Sequence, residues 1–298
     1  MGRRILLLVN PISGRGRALR SAEKFVRALR AEGAVAEEFR TVTAGEATRR
    51  AGEARGGGFD AVVAVGGDGT VNEALNGLEG SGIPVGILPT GTANVLARDL
   101  GLPFDPAGAA RVAARGRARA LDVGVARSTA GERRFLCCAG AGLDAAIVRA
   151  VAESRRAGGL GFRGWVGPIR RTFASYAFPG LRVSIDGGPR SSGTFAVICN
   201  TANYGGLFRL VPDADPCDGL LDSFVASPSG RAALFRYLWG AWRGTLPRRP
   251  DVRTARGTAA RIESDVPVPV QVDGDAFGET PLEVSLRPGA ARVLVPDE

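Results

Sequence analysis

Three short apolar runs in the first third of the chain each end in a glycine-containing loop, and that repetition restricts the fold more than any other feature. The runs are Ile5-Leu6-Leu7-Leu8-Val9, Ala61-Val62-Val63-Ala64-Val65 and Pro84-Val85-Gly86-Ile87-Leu88. The loops after them read Asn10-Pro11-Ile12-Ser13-Gly14-Arg15-Gly16-Arg17, Gly66-Gly67-Asp68-Gly69-Thr70-Val71-Asn72-Glu73 and Pro89-Thr90-Gly91-Thr92-Ala93-Asn94. A continuous apolar run of strand length suits a strand covered on both faces, as in a parallel sheet. Between the runs, Leu19, Phe25, Val26 and Leu29 recur at helical spacing and stop at Gly33. A further strand is expected from Val35 to Phe39. Helices are expected over Gly45 to Arg55, up to Asn76-Gly77, and over Ala93 to Leu100. Strands alternating with helices predict a doubly wound, mostly parallel α/β sheet with right-handed crossovers. Ligands of such sheets sit beyond the carboxyl ends of the strands.

Past Leu121 the pattern changes. Leu181 to Ile185, Thr194 to Asn200, Leu220 to Ala226, Val268 to Val272, Leu282 to Leu286 and Arg292 to Val295 are short and often alternate with period two. Gly, Pro and Asp separate them, which predicts a mainly antiparallel β-sandwich. The expected organisation is an α/β nucleotide-binding domain over 1–124 and a β-rich substrate domain over 125–298. The last strand of the second is expected to be able to pack back on the first.

Composition then excludes chemistries. The 298 residues include no His, and the 39 basic residues are all Arg except Lys24. Ser-His-Asp or Cys-His catalysis, His-ligated zinc and a haem with a proximal His are therefore impossible. Lys24 lies in a charged helical stretch and fits neither a P-loop nor a Schiff-base role. Carboxylates, hydroxyls, backbone amides and Arg remain. Cys137, Cys138, Cys199 and Cys217 show no CxxC spacing and read as reduced structural thiols of a cytosolic protein. No apolar run approaches the roughly 18 residues of a membrane helix. The net charge of +9 points to nucleic acid, an anionic membrane or phosphorylated small molecules.

Glycines let a backbone approach a ligand, and amides exposed at a helix start attract phosphate. Each loop alone also has a local reading. Gly14-x-Gly16 is a fragment of a dinucleotide fingerprint, and Thr70-x-x-Glu73 reads as a capping box. Capping does not account for Asp68. An acid among phosphate-binding amides opposes an anion unless a cation intervenes, and Mg²⁺ travelling with phosphates resolves the conflict.

With these residues in place, the chain resembles the diacylglycerol kinase catalytic domain superfamily, which includes bacterial diacylglycerol and related lipid kinases, sphingosine kinases and ceramide kinases. The resemblance rests on Gly66-Gly-Asp-Gly-Thr70 with Asn72-Glu73, Asn10-Pro-x-Ser13-Gly14 and Pro89-Thr-Gly-Thr92-x-Asn94. It extends to Gly142-Leu-Asp144-Ala145, Asn203-Tyr-Gly-Gly206, Pro212-x-Ala214-x-x-x-Asp218-Gly219-Leu220-Leu-Asp222 and Asp273-Gly-Asp275. The first block alone is shared with NAD kinases and, loosely, phosphofructokinases, whose first-domain fold the resemblance implies. It also implies that Asn10, Pro11, Ser13, Gly14, Thr41, Gly66, Gly67, Asp68, Gly69, Thr70, Asn72, Glu73 and Thr92 hold ATP. Asp68 would organise the Mg²⁺-bound phosphates. Asp215, Asp218 and the carbonyl of Leu220 would hold a structural Mg²⁺. The same acidic run also reads as a plain turn between strands. Asp275 falls where the family's general base stands, usually Glu, so this chain is one methylene shorter there. Glu279 is the fallback, and Asp-Gly-Asp is equally good hairpin-turn chemistry.

The substrate implied is a lipid hydroxyl, diacylglycerol first, met at the membrane surface by a cytoplasmic, peripherally associated enzyme. Two Arg–aromatic segments suit anionic phospholipid: Arg155 to Phe178, and Arg231 to Arg243 with Leu234, Phe235, Leu238, Trp239 and Trp242 on one helical stripe. The same stripe could equally pack on the β domain. Nucleic acid is not an expected partner, since the arginines are scattered and no recognised module occurs. A homodimer is left open. The alternatives are an NAD-kinase-like phosphotransferase and a nucleotide-binding regulator with weak catalysis.

Overall fold

The computed structural model describes residues 2–156, 163–227 and 249–297, together with 237, 240, 243, 245 and 246. The chain divides into two compact units, one formed by Met1–Val123 with Pro288–Glu298 and the other by Gly124–Arg287.

In the first unit, strands β1 (Arg4–Val9), β2 (Val35–Arg40), β3 (Ala61–Gly66) and β4 (Val85–Pro89) form a parallel sheet in the order β2-β1-β3-β4. The helices are α1 (Arg17–Ala31), α2 (Glu46–Gly52), α3 (Asp68–Gly77), α4 (Val95–Asp99) and α5 (Pro106–Arg115). α1 buries Ala18, Ala22, Phe25 and Leu29, one stripe at helical spacing. It ends before Gly33, whose φ of +80° suits a helix C-terminus. Its stripe packs on Ile5, Leu7, Val9 and Val63 together with Ala109, Ala110 and Ala113 of α5. α5 opens on Asp105, whose carboxylate accepts from the Gly108 amide, followed by Pro106 at the first helical position. Its buried positions are alanines and give a weak apolar period, so the sequence pattern does not mark this helix.

The chain then runs through β5 (Arg117–Ser128), β6 (Gly131–Phe135), β7 (Cys138–Ala141), α6 (Leu143–Arg156) and α7 (Arg163–Ser175). It continues through β8 (Leu181–Ile185), β9 (Ser191–Gly193), β10 (Phe195–Cys199), β11 (Asn203–Tyr204), β12 (Phe208–Arg209) and β13 (Leu221–Ala226). It closes with β14 (Val252–Gly257), β15 (Ala259–Glu263), β16 (Pro269–Val272), β17 (Asp275–Glu279) and β18 (Leu282–Val295). In the second unit β14-β13-β10-β7-β16-β17 form one antiparallel sheet. Opposite it, β15 pairs antiparallel with β8 and with the first part of β18, and β5 pairs with β6. The core between these layers holds Ala196, Ile198, Leu221, Val225 and Val270 from one side and Val183, Ile262, Leu282 and Val284 from the other. Alternate residues on the same strands, Val197, Cys199, Phe224 and Ala226, enter a second cluster on the far face. Period-two strands covered on both faces explain why β7, β13 and β16 are buried at every position.

The period-two pattern predicts two strands, Leu282 to Leu286 and Arg292 to Val295, where one strand β18 runs through Pro288-Gly289. Its end returns to the first unit, where Val293 pairs parallel with Val85 and the Gly289 amide donates to Asp122 Oδ1 at 2.7 Å. A Pro-Gly pair looks like a break in sequence; here Gly289 at φ +60° is absorbed by a bend.

Candidate functional site

The three glycine loops of the first unit meet at the carboxyl ends of β1, β3 and β4, and backbone contacts hold them there. The Gly66 carbonyl accepts from the amides of Thr90 and Gly91 at 2.9 and 3.3 Å. A Cβ on Gly91 would lie 2.5 Å from Gly67 Cα, so these chains approach as only glycine permits. Gly14, at φ +59°, leaves no room either: its Cβ would fall 2.2 Å from the Thr90 carbonyl oxygen. Thr90 Oγ1 donates to Ser13 Oγ at 3.0 Å, which ties the first loop to the third.

α3 begins at Asp68 with Gly67 as its N-cap, so Thr70 lies inside the first turn. The expected capping box is therefore not formed. Thr70 Oγ1 instead accepts from Asn10 Nδ2 at 3.2 Å, and Glu73 Oε2 accepts from the Gly45 amide at 3.1 Å. Asp68 Oδ1 accepts from the Leu96 amide at 3.2 Å, fixing its carboxylate against the start of α4. Thr41 Oγ1 donates to the Val9 carbonyl at 3.3 Å. Asn10, Pro11, Thr41, Thr70 and Glu73 line one pocket of about 390 Å³. Ile12 of the first loop and Val42, Thr43, Ala44 and Ala47 complete it; the last four follow β2 and carry no motif by which sequence could find them. Ser13, Gly14, Gly66 and Gly67 stand in the adjoining loops as described. Asn72 is buried in α3, Gly69 is exposed in the first turn of that helix, and Thr92 is exposed in the third loop. This arrangement offers amides, hydroxyls and the start of the ten-residue helix α3 to a polyphosphate.

In the second unit, Asp273 and Gly274 adopt φ of +49° and +82° and join β16 to β17 as a two-residue turn, with Val272 opposite Asp275. The Asp273 carboxylate accepts from the amides of Leu136, Cys137 and Cys138 at 2.9 to 3.0 Å, a structural cap. Turn chemistry thus belongs to Asp273-Gly274, and Asp275 opens β17 with its side chain 63% exposed. Arg133 Nη2 donates to Asp275 Oδ2 at 2.6 Å, and Arg149 Nη1 to Glu279 Oε1 at 2.8 Å.

In the acidic loop the expected cation ligands Asp215 and Asp218 take hydrogen bonds from the protein itself. Asp215 Oδ1 accepts from the Cys217 amide and Asp218 Oδ1 from the Leu220 amide, both at 3.0 Å. Asp218 Oδ2 accepts from Arg256. Among the described residues no group of three or more acidic or thiol side chains is arranged to hold a metal.

Sequence reasoning also missed a cavity of about 200 Å³ on the far face of β10 and β13. Phe195, Phe224, Tyr204, Phe208 and Ile147 line it, and Phe195 and Phe224 meet edge to face at 6.1 Å. One acid enters the wall. Tyr204 donates its hydroxyl to Asp144 Oδ2, while Asp144 Oδ1 is sealed from solvent with no protein partner. Burial raises the Asp144 carboxyl above its usual range, with the Tyr204 hydrogen bond opposing. Burial likewise raises Tyr237 in the same wall to about 12. Of the Arg–aromatic segments, the stripe residues Leu234, Phe235, Leu238, Trp239 and Trp242 lie outside the described residues, as do Leu160 and Phe162. No helix among the described residues is long and apolar enough to cross a membrane.

Two family profiles match in tandem. The diacylglycerol kinase catalytic domain covers residues 4–126, and the YegS C-terminal NAD kinase beta sandwich-like domain covers residues 137–295. A diacylglycerol kinase of Mycobacterium tuberculosis is 32% identical over 297 residues, spanning 98% of this chain and 95% of the relative. One from Staphylococcus aureus is 28% identical over 290 residues, spanning 94% and 89%. The crystal structure of a diacylglycerol kinase from Bacillus anthracis matches with a TM-score of 0.74 at 23% identity, over 99% of this chain and 97% of that one. These agree with the α/β sheet plus antiparallel sandwich found here.

Proposed function

The chain belongs to the diacylglycerol kinase catalytic-domain family and is an ATP-dependent lipid kinase, and we propose that its acceptor is the hydroxyl of diacylglycerol, met at an anionic membrane surface. The observation that carries the acceptor reading is the apolar cavity of the second unit, whose walls are aromatic and aliphatic but for Asp144 and a few hydroxyls. Hydrocarbon entering it gains about 0.8 kcal/mol per buried methylene. The charged phosphates of a dinucleotide acceptor would find no compensating group there.

In this reading, Asn10 to Gly14, Thr41, Gly66 to Thr70, Asn72, Glu73 and Thr92 receive the phosphates and ribose of ATP. The loop amides are fixed before substrate arrives, so they stabilise the transferring phosphoryl without reorganising. Mg²⁺ would enter with ATP as part of the substrate, and Asp68, held in place by the Leu96 amide, would offset its charge. Asp275 takes the proton of the lipid hydroxyl. The hydroxyl oxygen then bonds to the γ-phosphorus, the bond to the β–γ bridging oxygen breaks, and ADP leaves. The exposure of Asp275 supports this role, because a lipid oxygen must come within about 3 Å of it. Arg133 holds the shorter carboxylate at a defined position.

The test is transfer of label from ATP to a panel of dispersed lipids and NAD. Phosphorylation of diacylglycerol is expected, with Asp68→Ala and Asp275→Asn each at least about 100-fold slower. Label reaching NAD alone, or full activity in both variants, would sink the reading.

A further inference from the structure

Asp213, Asp215, Asp218 and Asp222 place four carboxylates within ten residues of the loop that leads into β13. Such density needs a counter-charge. We propose that in this chain the Arg256 guanidinium supplies it, standing where a resident divalent cation would otherwise be required.

The register makes the pairing possible. Asp222 on β13 lies directly opposite Arg256 on β14, so their side chains share one face of the sheet. Arg256 Nε lies 3.1 Å from Asp222 Oδ1, and Nη2 of the same fork donates to Asp218 Oδ2. One planar group therefore clamps the loop to the strand, which suits Arg and not a point charge. Asp222 is 5% exposed, whereas Arg256 keeps 44% of its side chain in water. The second oxygen of Asp222 is buried without a protein partner, so loss of Arg256 would leave that carboxylate bare.

A hard cation collects six or more oxygens. Asp218 gives Oδ1 to the Leu220 amide and Oδ2 to Arg256, so a cation joining it would share both oxygens with donors and stand against the Arg256 charge. A tethered guanidinium differs from a bound ion in one testable respect: chelators cannot remove it. The loop is then ordered whatever the cation concentration, and this holds separately from any Mg²⁺ that arrives with ATP.

The experiment uses the full chain without nucleotide. Thermal unfolding is followed in EDTA and in excess MgCl₂, and Mn²⁺ binding by electron paramagnetic resonance. Wild type is expected to unfold at one midpoint in both media and to bind no Mn²⁺ stoichiometrically. Arg256→Met is expected to unfold roughly 5–10 °C lower in EDTA and to recover part of that in MgCl₂, because the carboxylates then accept a cation. Asp218→Asn should be destabilised equally in both media. One Mn²⁺ per wild-type chain that Asp218→Asn abolishes would overturn the proposal, as would a wild-type midpoint for Arg256→Met in EDTA. Should Arg256→Met not fold, the wild-type and Asp218→Asn measurements decide by themselves.

Discussion

The two units build their candidate sites from opposite materials. The first uses backbone: glycines packed to within a Cβ of each other, a carbonyl shared by two amides, and hydroxyls that pin one loop to the next. The second uses side chains: an aromatic cavity over β10 and β13, and an acid sealed in its wall. Where two backbones approach as closely as at Gly14 and Gly91, an added Cβ has no room and must push the loops apart. A side-chain site can change shape locally, and its substitutions alter which ligand fits before they alter the fold.

The largest expected effect is on the backbone side. Gly91→Val forces atoms into Gly67 Cα and should abolish ATP binding by calorimetry, with a loss of at least about 100-fold. Retained affinity would break the claim that backbone approach builds the site. Phe224→Ala comes next, removing a fully buried ring. It should cost about 3–5 kcal/mol by denaturant unfolding. Ala226→Phe then fills the cavity it faces. Phosphorylation of long-chain diacylglycerol should fall roughly 10-fold while ATP binding is unchanged, about the discrimination that a few methylenes give. Unchanged lipid activity would move the acceptor elsewhere.

A smaller effect concerns pH. The Asp144 carboxyl is raised by burial, so the folded state holds its proton longer than the unfolded chain does. Its contribution to stability is complete below the ordinary carboxylate range and is lost as pH rises through the raised value. Asp144→Asn should therefore gain on wild type in thermal midpoint across that interval and run parallel above it. A constant difference at every pH would show that Asp144 titrates normally. Smallest of all, Arg49→Ala removes an exposed i, i+4 pair with Glu53 and should change stability by no more than about 0.5 kcal/mol.

Legibility followed the same division. Strands β1, β3 and β4 stood out because each is apolar at nearly every position and stops at a glycine loop. The loop residues were readable since Gly and Asp carry local signals. What misled was also local: Thr70-x-x-Glu73 satisfies a capping pattern, but the cap is Gly67, three residues earlier, and Thr70 accepts from Asn10, sixty residues away. In the second unit, α6 lies in a stretch for which the sequence pattern offers no element, and β18 runs unbroken through the Pro288-Gly289 pair that reads as a break. In sequence, Asp275 of Asp273-Gly-Asp275 carries both a general-base reading and a hairpin-turn reading. In the fold Asp273 caps three amides and Asp275 is exposed beside Arg133, a distinction that rests on partners more than 130 residues distant.

By itself, then, the sequence determined the parallel sheet, the antiparallel layers and the position of the glycine loops, because these depend on local composition or on simple periodicity. Tertiary structure alone decided which carboxylates pair, which are sealed and where a hydrocarbon-sized hollow remains. Asp222 meets Arg256, and Phe195 meets Phe224, through the register of strands separated by up to 34 positions. Pairing across such distances is set by how whole faces pack, and a linear pattern does not carry that information.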